Sequence, residues 1–248
     1  MVPIACVFIT VILSACSSAG GSASAVTTPT VGVVATTAPA AASPIVATEA
    51  PSRCLGVQPN PDEKITPNGG GYWSAPDKVT VEGHTYCAIL TTNHGRIVVE
   101  LFSKTAPKNV NSFVFLAKNG YYENITWHRV IDGFMAQSGD PTGTGGGSPG
   151  YQVPLETVPG LLYDREGRVG AARTDVPDSA GSQFFITFGP SPNLDPSSAT
   201  AGYTILGQVV EGLNVLRQIT IRNVDQNPNL PKGDPLVSVR IVDVDAAK

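Results

Sequence analysis

Histidine and cysteine are scarce, and what there is lies scattered. Three His (His84, His94, His128) and four Cys show no short ligand spacing, so neither a metal site nor a metal cofactor is expected, and no motif calls for any other cofactor. All three His also precede Ser148, although Gly146-Gly147-Ser148-Pro149-Gly150 fits the Gly-x-Ser-x-Gly pattern. A nucleophile elbow needs its His later in the chain, which excludes that hydrolase order. Only 7% of residues are aromatic, there is no run of Lys and Arg, and the net charge is −4, which leaves no stacking platform or basic stripe for nucleic acid. The apolar stretch Val2 to Ala15 is too short to span a bilayer and has the length of a signal h-region.

That stretch ends in Leu13-Ser14-Ala15-Cys16, which resembles the bacterial lipobox, although Met1 to Ala5 carry no Lys or Arg. The resemblance implies a signal over residues 1–15 and acylation of Cys16. The protein would then be a lipoprotein anchored outside the cytoplasm through its N-terminal lipid, since two or more acyl chains hold stably where one does not. Residues 16–53 are rich in Ala, Ser, Thr and Pro and carry no charge before Glu49. Such a segment cannot bury enough surface to offset its ordering entropy and is expected to be a tether, with an end-to-end distance of roughly 30–35 Å. With Cys6 in the signal and Cys16 lipidated, Cys54 and Cys87 remain as an even pair. Outside the cytoplasm they are expected to form a disulfide, pinning an irregular extension over 54–85 to the first strand.

From Tyr86 the pattern is mainly β. Tyr86 to Thr92 and Arg96 to Phe102 read as strands joined by Asn93-His94-Gly95, with Ile97, Val99 and Leu101 on one face. The period then becomes helical: Thr105 reads as an N-cap, Pro107 opens the first turn, Val110, Phe113, Val114 and Ala117 share a face, and Asn119-Gly120 stops the helix. Arg168 to Arg173, Gln183 to Phe188, Tyr203 to Val210 and Leu236 to Val244 read as strands, and Glu211 to Thr220 as a second helix. Short strands with a helix near each end point to a closed antiparallel barrel. The Gly-rich run Pro141 to Gly150 is not followed by a helix start, which argues against phosphate binding.

The stretch that organises the domain is Trp127-His128-Arg129-Val130-Ile131-Asp132-Gly133-Phe134-Met135-Ala136-Gln137-Ser138-Gly139-Asp140. Arg cannot serve as a general base at working pH, but its planar fork can aim donors at a carbonyl or an amide nitrogen. Gly133 allows a bend, after which alternation places Met135 and Gln137 on one side and Phe134 on the other unless a bulge intervenes. With its second block, Ala172-Arg173-Thr174 and then Ser182-Gln183-Phe184-Phe185-Ile186, the sequence resembles the cyclophilins, peptidyl-prolyl isomerases, over about Tyr86 to Val244. Trp127 stands where the family motif has Phe.

The resemblance implies an eight-stranded closed antiparallel β-barrel capped by two helices, over residues 86–246. It also implies isomerisation of Xaa-Pro bonds in proline-containing polypeptides, here in the folding of exported proteins; the rival is a non-catalytic proline-peptide binding module. By the same resemblance Arg129 and Gln137 are the catalytic pair, and Phe134, Met135, Phe185 and Leu194 form the proline pocket. Ala172, Arg173, Gln183 and Tyr203 are expected to contact substrate, and a monomer is expected. Of the consecutive Phe184 and Phe185, one must be core, and the pocket is assigned to Phe185. Where the family often has Trp, this chain has Asn193, ahead of Leu194-Asp195; where it often has His, it has Tyr203. That Trp contacts cyclosporin in the family, so weak drug binding is expected. Since the reaction transfers no proton, His128 and Trp127 are expected to be structural.

Overall fold

The computed structural model describes residues 51–246. The expected signal, Cys6, Cys16 as the expected acylation site, and the expected tether as far as residue 50 lie outside the described residues. No helix among the described residues is long and apolar enough to cross a membrane.

Residues 51–85 form turns and irregular chain, and the sheet begins with β1 (Tyr86–Thr92) and β2 (Gly95–Leu101). Their hairpin is tied by the Thr92 hydroxyl, which donates to the Gly95 carbonyl at 3.0 Å and accepts from the His94 amide at 3.0 Å. Both faces of this ribbon are buried. Tyr86, Ala88, Leu90, Ile97, Val99 and Leu101 enter the main core, whereas Cys87 and Val98 pack on the opposite face with Cys54 of the extension. A disulfide joins Cys54 to Cys87. Further along the extension, the Trp73 ring meets Phe115 edge-on at 5.5 Å and so covers the first helix.

That helix, α1 (Pro107–Lys118), starts from Ala106 rather than from Thr105. The Thr105 hydroxyl turns back to the Phe102 carbonyl, and Glu156, from a distant loop, accepts the Lys108 and Asn109 amides at 3.1 and 2.9 Å. A carboxylate at the N-terminus satisfies two orphan donors and complements the helix dipole. At the other end Gly120 has φ +72°, and a Cβ there would strike the Thr66 carbonyl, so the stop is fixed by conformation and by crowding alike.

The remaining elements are β3 (Ile125–Thr126), β4 (Arg129–Ile131), β5 (Met135–Ser138), β6 (Arg168–Ala171), β7 (Phe184–Thr187), β8 (Ile205–Glu211), α2 (Leu213–Leu216) and β9 (Pro235–Asp243). The helix expected over Glu211 to Thr220 is a single four-residue turn. Glu211 stays in β8, opposite Val98 and ion-paired to Arg96 at 2.9 Å, and Gly212 at φ +88° breaks the chain before the turn. Beyond it Arg222 already pairs with Val130.

The described residues form one nine-stranded antiparallel sheet in the order β3-β9-β1-β2-β8-β6-β7-β5-β4. This corrects the expected eight-stranded closed barrel. The arm ahead of Gly133 is split: Ile125 and Thr126 pair with β9, the Trp127 amide reaches the Asp234 carbonyl, and Val130 turns to Arg222. No ladder joins the two edge strands β3 and β4. Since only Trp127 and His128 separate those edges in the chain, the sheet curls so that they come near each other, and it stays open between them. Trp127, Val130, Ala136, Val169, Phe184 and Ile186 fill the interior so formed.

Surface carboxylates predict the acid behaviour. Hydrogen bonds from Arg53 and the Thr85 amide hold Asp245 at about 2, and hydrogen bonds from Arg165 and Arg168 hold Asp164 at about 2. An acid depressed from its unfolded value near 4 adds stability that is complete above that value and is lost as pH falls through the folded one. These carboxylates therefore leave the melting temperature unchanged from pH 7 to 5 and lower it between about pH 4 and 2, while the buried His128, held below its usual value, adds a fall that begins near pH 6.5. About 1 M salt should reduce the carboxylate slope, because both acids are at the surface. An acid limb unaffected by salt would contradict this.

Candidate active site

The β4–β5 hairpin turns at Gly133, where φ is +65°. Its register sets Arg129 opposite Gln137 and Ile131 opposite Met135, with Val130 and Ala136 pointing the other way into the core. The row continues across the sheet, since Gln137 lies opposite Phe185 and Phe185 opposite Gly170. Guanidinium, amide, ring and bare backbone thus line up on the face opposite the main core. Gly170 supplies space: a Cβ there would collide with the Phe185 ring and the Tyr163 hydroxyl.

Alternation places Phe184 inside, edge-on to Phe113, Tyr122 and Trp127, and leaves Phe185 outside. Phe185 joins Met135, Tyr163, Leu194 and Ile205 in a second apolar cluster, with Phe134, Ala172 and Tyr203 packed against it. Phe134 does not diverge from Met135 as alternation along a strand predicts. It belongs to the turn, its amide bonding to the Ile131 carbonyl at 3.1 Å, so the strand rule does not govern it and both side chains face one cavity. Leu194 is placed by a single 3₁₀ turn (Pro192–Leu194), and Asp195 after it accepts the Tyr163 amide at 2.8 Å.

The cavity is about 310 Å³, near the small end for ligand sites. Arg129, Phe134, Met135, Gln137, Ala172, Arg173, Phe185, Leu194 and Tyr203 line it together with Asn193 and Thr200. Gln183 lines an adjoining cavity of about 320 Å³ that shares Gln137, Ala172 and Arg173 and runs beneath the Gly-rich loop. All ten sequence-derived binding and catalytic residues therefore fall on these two neighbouring hollows.

Polar contacts fix the rim. The Gln137 amide donates to Gln183 Oε1 at 2.9 Å, and Gln183 Nε2 donates to the Gly145 and Gly147 carbonyls at 2.8 and 3.1 Å. That use of donors leaves Gln137 Oε1 toward Arg129 Nη1, 3.5 Å away. The Gly-rich loop is held from below by Asp140, which accepts the amides of Thr142, Thr144 and Gly145. Burial alone would raise this acid, but the Thr142 hydroxyl and the backbone amides outweigh burial and hold it below its usual range. Arg173 lies 4.5 Å above the Tyr203 ring and donates to the Gly202 and Thr174 carbonyls, so its charge is satisfied within the wall.

Two further residues bear on the site. Tyr163 stacks on Phe185 at 5.8 Å, and Asp225 binds Arg129 through Nε and Nη2 at 3.0 and 2.6 Å. That hydrogen-bonded pair holds the Asp225 carboxyl below its usual range. His128 is buried and lines neither cavity; burial pushes its imidazole below its usual range, toward the neutral form. Trp127 is fully buried against Phe184. Among the described residues no group of three or more His, Cys, Asp or Glu could hold a metal ion. The arrangement offers a fixed cation and an amide beside an apolar hollow.

Comparison with known proteins agrees. A family model described as "Cyclophilin type peptidyl-prolyl cis-trans isomerase/CLD" matches residues 87–246. A Rhizopus delemar protein named "Peptidyl-prolyl cis-trans isomerase-like 1" is 41% identical over 145 residues, 57% of this chain and 84% of that one. A Helicobacter pylori "Peptidyl-prolyl cis-trans isomerase" is 42% identical over 137 residues, 54% of this chain and 80% of that one. Among solved structures, a cyclophilin type peptidyl-prolyl cis-trans isomerase of Cryptosporidium parvum superposes with a TM-score of 0.53 at 32% identity, covering 63% of this chain and 99% of that one. It was determined in the presence of the dipeptide Ala-Pro.

Proposed function

The chain belongs to the cyclophilin-type peptidyl-prolyl cis-trans isomerases, and from that premise we propose which groups perform the isomerisation and where in the cell it is used. Rotation about a prolyl bond faces a barrier of about 18–20 kcal/mol, and a rate gain of about 10⁵ requires lowering it by about 7 kcal/mol. No covalent bond is made or broken. The twisted amide loses resonance, its nitrogen becomes pyramidal and basic, and a donor aimed at that nitrogen binds it better than either planar state. Arg129 is that donor. Phe134, Met135, Phe185 and Leu194 hold the pyrrolidine ring and keep water from the amide, with Tyr203 closing the wall. Gln137 holds the substrate backbone, and Ala172, Arg173 and Gln183 receive the residues before proline.

The observation that carries this reading is that the Arg129 guanidinium stands on the rim of a cavity whose wall is Phe134, Met135, Phe185 and Leu194. An exchange assay on an Ala-Pro peptide tests it: turnover is expected, with proline-ring contacts mapping to those four residues. Cyclosporin should inhibit only weakly, because Asn193 occupies the wall position where the family often has Trp. Nanomolar inhibition would refute that part.

The reaction serves exported proteins at the cell envelope, with the domain tethered to lipid through Cys16 and acting as a monomer. The lipobox-like Leu13-Ser14-Ala15-Cys16 supports this, as does a disulfide, which persists in oxidising compartments. Mass spectrometry of the mature amino terminus is expected to find an acylated Cys16; an unmodified or upstream terminus would overturn the anchoring.

A further inference from the structure

Asp225 lies 96 positions from Arg129 in a segment the activity does not otherwise use, yet it holds most of the guanidinium. Arg129 Nε lies 3.2 and 3.0 Å from its two carboxylate oxygens, and Nη2 lies 2.6 Å from Oδ2. The remaining nitrogen, Nη1, faces two cavity residues, Gln137 Oε1 at 3.5 Å and Met135 Sδ at 4.0 Å. We infer that Asp225 is a positioning residue: by clamping Nε and Nη2 it directs Nη1 of Arg129 at the substrate amide. This rests on the assignment of Arg129 as the donor.

The segment carrying Asp225 is fastened well enough for the task. Three residues before it, Arg222 exchanges backbone hydrogen bonds with Val130 at 2.8 and 2.9 Å, next to Arg129 itself. The Arg222 side chain spans the base of the loop, donating to the carbonyls of Pro231 at 2.7 Å, Leu230 at 3.2 Å and His128. The Asn223 carbonyl accepts the Gln226 and Asn227 amides at 3.3 and 3.1 Å, so Asp225 sits within a closed turn. Its side chain is 53% exposed, and an ion pair so placed adds little to stability. What it can do is remove torsional freedom from a long side chain whose fork must be aimed, and misplacement by about 1 Å can cost about 10² in rate.

A competing arrangement uses the same contacts: the carboxylate could sequester Arg129 from substrate. The two differ in sign. Positioning predicts that Asp225→Ala lowers kcat on an Ala-Pro peptide by about tenfold with KM within about twofold, and that Asp225→Glu restores part of it. In an Arg129→Ala background, Asp225→Ala should then have no further effect, because it acts only through the missing group. A faster Asp225→Ala enzyme, an unchanged one, or an equal loss in both backgrounds overturns the inference. Asp225→Asn, which keeps an oxygen acceptor, covers the case of an alanine variant that fails to fold. If Arg129→Ala alone keeps the wild-type rate, the assignment of Arg129 fails instead.

Discussion

Arg129→Ala is expected to lower kcat/KM on an Ala-Pro peptide by about 10²–10³-fold, nearly all of it in kcat. Removing one preorganised donor that acts on the transition state costs about that much, or 3–4 kcal/mol. The loss falls on kcat because planar cis and trans peptides engage the cavity wall, whereas only the twisted amide has a basic nitrogen to receive Nη1. The wall of Phe134, Met135, Phe185 and Leu194 is untouched by the substitution, so KM should change little and residual acceleration should remain. Arg129→Lys is expected to recover only part of the rate. An ammonium is a point charge and cannot grip both Asp225 oxygens while presenting a third nitrogen to the substrate. Activity within about threefold of wild type for the alanine variant, with the fold intact by circular dichroism, would remove the donor from the mechanism.

The part of this site that could be read from sequence is the part built on one hairpin and its neighbour. Arg129 and Gln137 straddle a Gly turn on adjacent strands, and Phe184 and Phe185 must diverge, so their relation follows from strand period and motif spacing. Phe134 escaped the period because turn residues do not obey it. Tyr163 sits in an irregular stretch between Pro154 and Gly167 that has no period, and its place under Phe185 depends on Gly170 having no side chain. Thr200 belongs to the segment Pro196 to Gly202 between Leu194 and Tyr203, whose place beside the pocket follows from those neighbours, whereas Asp225 reaches the site from a distant loop whose composition carries no signal. The same limit applies to the fold. The Thr105 reading failed because Glu156, 48 positions from Lys108, took the helix N-terminus. The second helix was overestimated because the apolar spacing of Leu213, Leu216 and Ile219 does not reveal that Glu211 is paired in β8. Local rules found local structure; long-range partners decided the rest.

Reducing the Cys54–Cys87 bond should destabilise the domain by about 3–4 kcal/mol, since it closes a loop with a sequence separation of 33. For a domain of this size that is a drop in melting temperature of roughly 6–16 °C. Both cysteines are fully buried and pack with Val98, with Val57, Val210, Val242 and Val244 around them, on the face of β1 and β2 that the extension covers. Arg53 pairs with Asp245 at 2.7 Å beside the bond and Trp73 packs on Phe115 beyond it, so the reduced extension keeps native contacts and loses mainly its tie in the unfolded chain. Two forms separate the causes. Wild type unfolded, reduced and refolded keeps both sulfurs, whereas Cys54→Ala with Cys87→Ala also leaves a small void and should be less stable by about a further 1 kcal/mol. In sheet order four strands, β2, β8, β6 and β7, stand between β1 and β5, so kcat at 25 °C should be the same in all folded forms. If reduced and oxidised proteins melt within about 2 °C of each other, the cross-link contributes nothing to stability and the extension is held by packing alone.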